Sequence, residues 1–294
     1  MVKTIGILGA GQMGAGIAQV AAQTGIEVLL VDISQERSDA GKNKIKKDLE
    51  KLVEKGKIPA AQVTEILSKI TTSGNFADFS RADFIVEAAS ERVDLKYDLF
   101  RKLDEVAKPG VILASNTSSI SITAIAGQTK RPTEVVGMHF MNPVPVMKLV
   151  EGIRGLRTSD KTFSTMKTLA ESMGKTVIEA QDYPGFAVNR ILMPMINEAI
   201  YTLYEGVASI EDIDVAMKLG TNQPMGPLTL ADFIGLDTCL AIMNVLHEGL
   251  GDAKYRPCPL LKNYVAAGLV GRKGGIGFYD YRSGTPVATK PGAF

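Results

Sequence analysis

The sequence is poor in several features that mark specialised classes of protein. It has two cysteines, Cys239 and Cys258, without metal-ligand spacing, which excludes a disulfide scaffold and favours two reduced thiols and no metal site. The net charge of +1 predicts no binding to nucleic acid or a membrane surface. No apolar stretch approaches the roughly 18 residues that span a bilayer. The first apolar run starts almost at Met1, without room for a signal peptide, so a cytoplasmic location is expected.

The most informative segment is a glycine-rich turn near the N-terminus. A short apolar run typical of a buried parallel strand is followed by Gly9, Gly11 and Gly14 in the spacing G-x-G-x-x-G, and a helical pattern starts at once. In a dinucleotide-binding turn the first glycine permits a tight turn, the second lets the backbone approach the pyrophosphate, and the third lets helix and strand pack closely. The helix N-terminus offers N–H groups to the phosphates.

A second apolar run, Glu27–Val31, ends on Asp32, which lies 18 residues after Gly14. At this spacing a carboxylate can accept hydrogen bonds from the adenosine ribose hydroxyls. The same carboxylate would repel the 2′-phosphate of NADP, so the sequence favours NAD. Arg37 is near enough in the sequence to offer that phosphate a partner, and NADP therefore stays the second choice.

The order of elements predicts a Rossmann-type, doubly wound and mostly parallel α/β sheet over residues 1–184. A charged segment at about 36–69 carries apolar residues at helical spacing and predicts a helical hairpin that leaves the sheet. After Pro184 and Gly185 the pattern turns helical, which predicts a smaller all-helical domain over residues 185–282 and a flexible tail over 283–294. The predicted strands are Ile5–Leu8, Glu27–Val31, Asp83–Ala88, Val111–Ser115, Glu134–His139 and Thr176–Ala180.

Two surfaces have both a structural and a functional interpretation. Lys51 and Lys55 lie one helical turn apart on the predicted hairpin, and the residues alone favour a solvated charged face over a site for an anionic substrate. The first helix of the second domain carries an apolar stripe that belongs either to the core or to a subunit interface. The members of the stripe are Ile191, Leu192, Met195, Ile196 and Ala199.

One of the two histidines, His139, ends a predicted strand at the edge of the sheet where parallel α/β folds bind ligands. Histidine is a residue type that exchanges protons near neutral pH, as the oxidation of a secondary alcohol requires. A carboxylate such as Glu151 can fix the tautomer, while Ser118 and Asn189 can hold the alcohol oxygen. His247 lies within a helical pattern and is interpreted as structural.

Five motifs and a late glycine-rich segment resemble the 3-hydroxyacyl-CoA dehydrogenase family, and within it the bacterial 3-hydroxybutyryl-CoA dehydrogenases. The similarity runs from Gly6 to Tyr281. The matching segments are Gly6-Ile-Leu-Gly-Ala-Gly-Gln-Met-Gly14, Ala114-Ser-Asn-Thr-Ser-Ser119, Gly137-Met-His-Phe-Met-Asn-Pro-Val-Pro145, Asp182-Tyr-Pro-Gly-Phe-Ala-Val-Asn-Arg190, Met225-Gly-Pro-Leu228 with Asp232, and Gly271-Arg-Lys-Gly-Gly-Ile-Gly-Phe-Tyr279.

The resemblance implies an NAD(H)-dependent enzyme that interconverts (S)-3-hydroxybutyryl-CoA and acetoacetyl-CoA. It implies that His139 is the general acid/base, that Glu151 is its partner, and that Ser118 and Asn189 bind the substrate oxygen. It also implies a homodimer formed through the helical domain. Lys51 and Lys55 match family positions that meet the CoA phosphates, which reverses the preference for a merely solvated face. The expected cofactor-binding residues are Gly9, Gly11, Gln12, Met13, Gly14, Asp32, Glu91, Lys96, Ser118, Asn142 and Lys273.

Two other functions stay open at this point. One is a dehydrogenase of the same fold that acts on a free hydroxy acid or sugar acid, against which the lysine pair argues. The other is a dinucleotide-binding protein without catalysis, against which the four catalytic-type residues argue.

Overall fold

The computed structural model describes residues 2–289, in which eight strands form one sheet. Their spatial order is β3-β2-β1-β4-β5-β6-β7-β8, and every neighbouring pair is parallel except β6 and β7. The chain order reverses beside β1, which is where doubly wound sheets open a ligand crevice. The strands are β1 (Thr4–Leu8), β2 (Glu27–Val31), β3 (Ile70–Ser73), β4 (Phe84–Glu87), β5 (Ile112–Ser115), β6 (Val135–Phe140), β7 (Leu149–Arg154) and β8 (Thr176–Gln181).

Both faces of this sheet are covered, because successive strand residues point to opposite sides. In β2, Val28 and Leu30 join one apolar core, whereas Leu29 and Val31 join the other. The helices of this unit are α1 (Gln12–Gln23), α2 (Gln35–Glu54), α3 (Ala60–Ser68), α4 (Val93–Val106), α5 (Ile122–Ala126) and α6 (Asp160–Ser172), with 3-10 turns at Phe76–Arg81 and Pro132–Glu134. The predicted doubly wound, mostly parallel sheet is confirmed.

The charged segment after β2 forms the predicted helical hairpin from α2 and α3. Ser34 caps α2 by accepting a hydrogen bond from the Arg37 backbone N–H at 3.3 Å. Ile45 and Leu49 on α2 are buried and join the same core as Val63 and Ile66 on α3. One face of the hairpin is therefore anchored to the sheet domain, while the remaining charged side chains face solvent.

Two strands of the eight-stranded sheet were absent from the sequence prediction. β3 is a short strand with two threonines at the edge of the sheet, and its composition is weakly apolar. β7 contains Glu151 and Gly152, which interrupt the apolar pattern of a buried strand. β7 matters for the site because it pairs antiparallel with β6 and aligns Glu151 opposite His139.

A second compact unit of the chain starts at Ala187, directly after Phe186. Its helices are α7 (Val188–Tyr204), α8 (Ile210–Gly220), α9 (Pro227–Ile234), α10 (Leu236–Leu250) and α11 (Pro259–Ala266), with 3-10 turns at Ala253–Tyr255 and Arg272–Gly274. Ser209 caps α8 by accepting a hydrogen bond from the Asp212 backbone N–H at 3.1 Å. Cys239 and Cys258 are buried and unpaired with each other, and burial raises the pKa of the Cys239 thiol to about 12.

The stretch of helical pattern around Gly235 forms two helices rather than one. Gly235 separates α9 from α10 with a φ of 101°, a conformation that residues with a Cβ rarely adopt. The two helices are bent by 96° at this point. Among residues 2–289, no single helix is long and apolar enough to cross a membrane, and only this bent pair meets the length and composition test when taken together.

The end of the chain also differs from the expected flexible tail. Val287–Ala288 forms strand β10, which pairs antiparallel with β9 (Tyr279–Asp280), so the second unit is not purely helical. The Thr289 backbone N–H donates to the Phe278 carbonyl at 2.9 Å. Residues 290–294 of the predicted tail lie outside the described residues.

Candidate active site

The glycine turn has the geometry that a dinucleotide-binding turn needs. Gly9 has a φ of 102°, and a Cβ placed there would lie 2.7 Å from the Ala88 carbonyl oxygen. A Cβ at Gly14 would lie 1.7 Å from the Gly9 carbonyl oxygen, so only glycine allows this close approach of turn and helix. A Cβ at Gly11 would meet nothing within 4 Å, which leaves open space for a phosphate. No side chain caps α1 at Gly11, and Gln12 and Met13 begin the helix.

Asp32 is joined to the glycine turn by hydrogen bonds. Its Oδ2 atom accepts from the Ala10 backbone N–H at 2.7 Å, and its Oδ1 atom accepts from the Ile33 N–H at 2.7 Å. The carboxylate is thereby fixed beside a groove of about 380 Å³ that the turn lines. Arg37 and Lys44 line the same groove and bring positive charge to it. The residues present fit a dinucleotide. The groove combines uncapped helix N–H groups and open space at Gly11 with the Asp32 carboxylate, which can accept hydrogen bonds from ribose hydroxyls.

His139 and Glu151 form a buried pair on adjacent strands. The two residues are directly opposite each other in the β6–β7 register, and His139 Nδ1 lies 2.8 Å from Glu151 Oε2. Glu151 is fully buried and His139 is 8% exposed. Because the carboxylate accepts a hydrogen bond from Nδ1–H, the Nε2 atom is the ring nitrogen that can exchange a proton with a substrate. The Phe186 ring packs at 5.9 Å from the imidazole and limits its rotation.

Ser118 belongs to a network of hydrogen bonds centred on Glu91. Glu91 Oε1 accepts from the Ser118 backbone N–H at 2.9 Å and from its hydroxyl at 3.2 Å. The same oxygen accepts from the hydroxyls of Thr117 at 2.6 Å and Ser119 at 3.1 Å. Burial raises the pKa of Glu91, but Lys96 and these hydrogen bonds outweigh burial and hold the pKa below its usual value. Glu91 therefore stays ionised and holds the turn that carries Ser118.

Lys96 completes this network from α4. Its ammonium group is 1% exposed and lies 2.7 Å from Oε1 of the fully buried Glu87 and 3.3 Å from Oε2 of Glu91. Glu87 also accepts from the Ser115 hydroxyl at 2.7 Å. Glu87 is not among the site residues that the sequence predicted. Its ion pair with Lys96 could not be predicted from the sequence, in which the two residues are separated by nine positions across the turn from β4 to α4.

Asn142 approaches the glycine turn from the loop that follows β6. Its Oδ1 atom accepts a hydrogen bond from Gln12 Nε2 at 3.0 Å, and the peptide bond to Pro143 is cis. Lys51 and Lys55 lie at the end of α2, where Lys51 is exposed and pairs with Asp48 at 3.3 Å. The structure thus brings Asn142 to the turn and leaves the hairpin lysines on an accessible surface.

Two of the expected site residues belong to the second unit. Asn189 lies in the first turn of α7 and is 8% exposed. Lys273 lies in the 3-10 turn at Arg272–Gly274, and its ammonium group is 2.7 Å from Asp237 Oδ1. Across the described part of the chain, no group of three or more histidine, cysteine or acidic side chains has the geometry of a metal site.

The segment that carries Lys273 is held by a buried carboxylate that sequence reasoning treated only as part of a motif. Asp232 is fully buried and accepts hydrogen bonds from the Phe278 and Tyr279 backbone N–H groups at 2.9 and 2.8 Å. A Cβ at Gly277 would lie 1.9 Å from Asp232 Oδ1, which explains the glycine there. Burial raises the pKa of Asp232 to about 6, although these hydrogen bonds lower it.

Family models match both parts of the chain. The model for the NAD binding domain of 3-hydroxyacyl-CoA dehydrogenase matches residues 4–183, and the model for the C-terminal domain of the same enzymes matches residues 185–281. The chain belongs to the 3-hydroxyacyl-CoA dehydrogenase family. The first unit is the NAD-binding domain of that family, which agrees with its glycine turn and groove.

Relatives in the 3-hydroxyacyl-CoA dehydrogenase family match over nearly the full length. The chain is 56% identical to the probable 3-hydroxybutyryl-CoA dehydrogenase of Bacillus subtilis, over 97% of this chain and 99% of the relative. It is 54% identical to the 3-hydroxybutyryl-CoA dehydrogenase of Bradyrhizobium diazoefficiens, over 99% of both chains. The crystal structure of (S)-3-hydroxybutyryl-CoA dehydrogenase from Ralstonia eutropha superposes with a TM-score of 0.93 at 49% identity, covering 96% of this chain and 99% of that one.

Proposed function

We propose that the protein is an NAD(H)-dependent dehydrogenase that interconverts (S)-3-hydroxybutyryl-CoA and acetoacetyl-CoA. The observation that carries the proposal is the buried pair of His139 and Glu151, in the same unit as the glycine turn, with 2.8 Å between Nδ1 and Oε2. A dinucleotide-binding turn alone is compatible with many reactions. A histidine fixed by a carboxylate adds the proton transfer that alcohol oxidation needs.

In the oxidation direction, His139 Nε2 takes the proton from the substrate hydroxyl. Glu151 holds the proton on Nδ1 and stabilises the positive charge that the ring acquires. Ser118 Oγ, positioned by Glu91, hydrogen-bonds the substrate oxygen, and in the reverse direction it polarises the ketone. NAD would supply the acceptor for the hydride that leaves the carbon atom bearing the substrate hydroxyl. Gly11, Gln12, Met13, Asp32 and Asn142 would hold the dinucleotide, and Lys273 stays a further expected cofactor-binding residue.

Lys96 acts on the site through its ion pair with Glu91. Its ammonium group is buried between Glu87 and Glu91, so its positive charge keeps Glu91 ionised and in place. Glu91 then contacts both the turn that carries Ser118 and the bound dinucleotide. Asp32 favours NAD over NADP because a carboxylate repels the additional phosphate, whereas Arg37 in the same groove offers that phosphate partial compensation.

Lys51 and Lys55 bind the phosphates of CoA in this proposal. The double variant Lys51→Ala/Lys55→Ala is expected to raise KM for acetoacetyl-CoA far more than KM for a short acetoacetyl thioester without the nucleotide. The double variant Lys161→Ala/Lys167→Ala on α6 removes the same charge from an exposed helix and serves as the control. Equal effects of the hairpin variant on both thioesters would contradict the assignment of these lysines.

The proposed subunit arrangement is a homodimer formed through the helical unit. Ile191, which the sequence placed on an apolar stripe, is 74% exposed, and Leu219 is 81% exposed. Ile196 and Ala199 of the same stripe are buried in the core of the unit. The double substitution of Ile191 and Leu219 by lysine is expected to shift the mass measured by light scattering from dimer to monomer. A wild-type monomer would contradict the dimer.

The experiment that tests the function compares acetoacetyl-CoA with free acetoacetate, each with NADH and with NADPH. We expect rapid NADH oxidation with the thioester, slow oxidation with the free acid and a lower kcat/KM for NADPH. A higher kcat/KM for the free acid would favour the hydroxy-acid dehydrogenase. NADH binding without any oxidation in the presence of either ketone would favour a non-catalytic dinucleotide-binding protein.

A further inference from the structure

A buried lysine outside the proposed mechanism lies between α6 and β8. Lys175 follows Gly174, whose φ is 73°, and is only 8% exposed. Its ammonium group donates hydrogen bonds to the carbonyl oxygens of Val144 at 2.5 Å and Met147 at 2.9 Å. Burial lowers the pKa of this lysine, and no carboxylate among residues 2–289 offsets that effect. A buried ammonium without an ionic partner is costly, so its contacts call for an explanation.

Both carbonyl groups belong to the loop of residues 141–148, which connects β6 to β7. The Pro143 carbonyl accepts hydrogen bonds from the Val146 and Met147 N–H groups at 3.0 Å each, and this turn directs the two other carbonyls inward. An ammonium group has three donors and no acceptor, so it can join two converging carbonyl oxygens, here in one buried and one partly buried hydrogen bond. Lys175 therefore stabilises one conformation of a loop that has no regular secondary structure.

The opposite side of the same loop lies against α1. A Cβ at Gly16 would be 2.9 Å from Val144 Cβ, which shows how closely the buried Val144 packs on this helix. Two residues earlier in the loop, Asn142 accepts its hydrogen bond from Gln12 in the first turn of α1. The loop is thus held by Lys175 on one side and contacts the start of the dinucleotide-binding helix on the other.

We infer that Lys175 is a positioning residue for the cofactor: it fixes the 141–148 loop so that Asn142 stays at the N-terminal end of α1. The inference rests on the proposed NAD(H) site, and it assigns a role to a residue that does not touch the reacting atoms. Without the ammonium group, the Val144 and Met147 carbonyls turn toward water and the loop leaves α1 for part of the time. Dinucleotide binding then has to reorder the loop and becomes weaker.

The test uses Lys175→Met, Lys175→Arg and the exposed control Lys167→Met in the full chain. If the loop of Lys175→Met lies against α1 for about a tenth of the time, the Kd for NADH measured by fluorescence rises about tenfold. Under the same model, kcat at saturating NADH stays within about twofold. Lys175→Arg keeps the charge and the donors, and its Kd is expected to return to within about threefold of the wild-type value. Lys167→Met is expected to bind NADH normally.

A purely structural role of Lys175 would lower the Tm of Lys175→Met and leave the NADH Kd of the folded protein unchanged. A wild-type Kd in Lys175→Met therefore overturns the inference, whatever its Tm. If Lys175→Met does not fold by circular dichroism, Lys175→Gln replaces it under the same criteria. Wild-type protein that binds NADH without reducing acetoacetyl-CoA would contradict the proposed function and leave the Lys175 comparison intact. Wild-type protein that does not bind NADH would overturn both.

Discussion

His139 and Glu151 face each other across one position of the antiparallel β6–β7 pair, with 2.8 Å between Nδ1 and Oε2. Strand pairing, not a loop, sets this distance. The carboxylate is fully buried, so water does not compete for the ring nitrogen. The imidazole is therefore held in one orientation and one tautomer, which prepares Nε2 for proton exchange.

Replacing Glu151 tests the value of this arrangement. Glu151→Gln keeps the size of the side chain but removes the charge that stabilises the protonated ring, and its amide can also favour the wrong tautomer. We expect kcat with acetoacetyl-CoA to fall about a hundredfold or more, while the Kd for NADH stays nearly unchanged. Glu179→Gln on the neighbouring strand β8 is exposed and is the matched control. Wild-type turnover in Glu151→Gln would exclude a catalytic role for the pair.

The buried ammonium of Lys96 predicts a large effect on stability. Lys96→Met leaves Glu87 and Glu91 without the positive charge between them, and breaking a buried ion pair in this way costs about 3–5 kcal/mol of unfolding free energy. Lys102→Met, on an exposed position of the same helix, is expected to change it by about 0.5 kcal/mol or less. Urea unfolding measures both values. Equal stability of the two variants would mean that the Lys96 pairs contribute little.

The glycines of the turn predict a separation between stability and cofactor binding. Gly14→Ala places a methyl group against the Gly9 carbonyl and is expected to lower stability by about 1–3 kcal/mol as the backbone moves. Gly11→Ala meets open space, so its Tm should equal that of the wild type. Its methyl group occupies the approach to the pyrophosphate, and a loss of about 1.4 kcal/mol there raises KM for NADH about tenfold. Unchanged KM in Gly11→Ala would place the pyrophosphate elsewhere.

Asp232 predicts a pH dependence of stability. Burial raises its pKa from 3.8 to about 6 in the folded state, so between these values the folded protein binds more protons than the unfolded chain. Its contribution to stability is therefore fully present below about pH 4, decreases as the pH rises toward about 6, and is constant above that. Two pKa units correspond to about 3 kcal/mol as an upper value.

The measurement compares unfolding free energies of the wild type and Asp232→Asn from acidic to neutral pH. Asp232→Asn lacks the titrating group, so the difference between the two proteins isolates this carboxyl from every other acid. The amide forms poorer hydrogen bonds with the Phe278 and Tyr279 N–H groups, which adds an offset without a pH dependence. A difference that is constant across this pH range would contradict the raised pKa of Asp232.

The sequence was sufficient for the parts of the fold that have a regular pattern. The apolar runs of β1 and β2, the glycine spacing and the hairpin were predicted because each is encoded in a few adjacent residues. β7 was not predicted, because Glu151 and Gly152 interrupt its apolar pattern. The buried carboxylate that pairs with His139 is therefore the reason that the strand was missed. The break at Gly235 was also missed, because one glycine within an apolar helical pattern does not reveal its backbone angles.

The contacts of the candidate site depend on residues that are far apart in the sequence. His139 was identified by its residue type and its place at a strand end, and Asn142 was identified only through the family resemblance. The hydrogen bonds of Glu91 with Ser118, 27 residues later, and of Lys175 with Val144 follow from the order of the strands in the sheet. That order places β4 beside β5 and β7 beside β8, and no local pattern specifies it.

The most direct test of the account is a single-turnover measurement of NADH oxidation by acetoacetyl-CoA in the wild type and in His139→Gln, with both substrates saturating. Because the removed group supplies the proton in the chemical step, we predict a rate constant lowered by about a hundredfold to ten-thousandfold, with the Kd for NADH unchanged. A rate constant for His139→Gln within about threefold of the wild type, well below the effect of losing a general acid, would contradict the role of His139 as the proton donor.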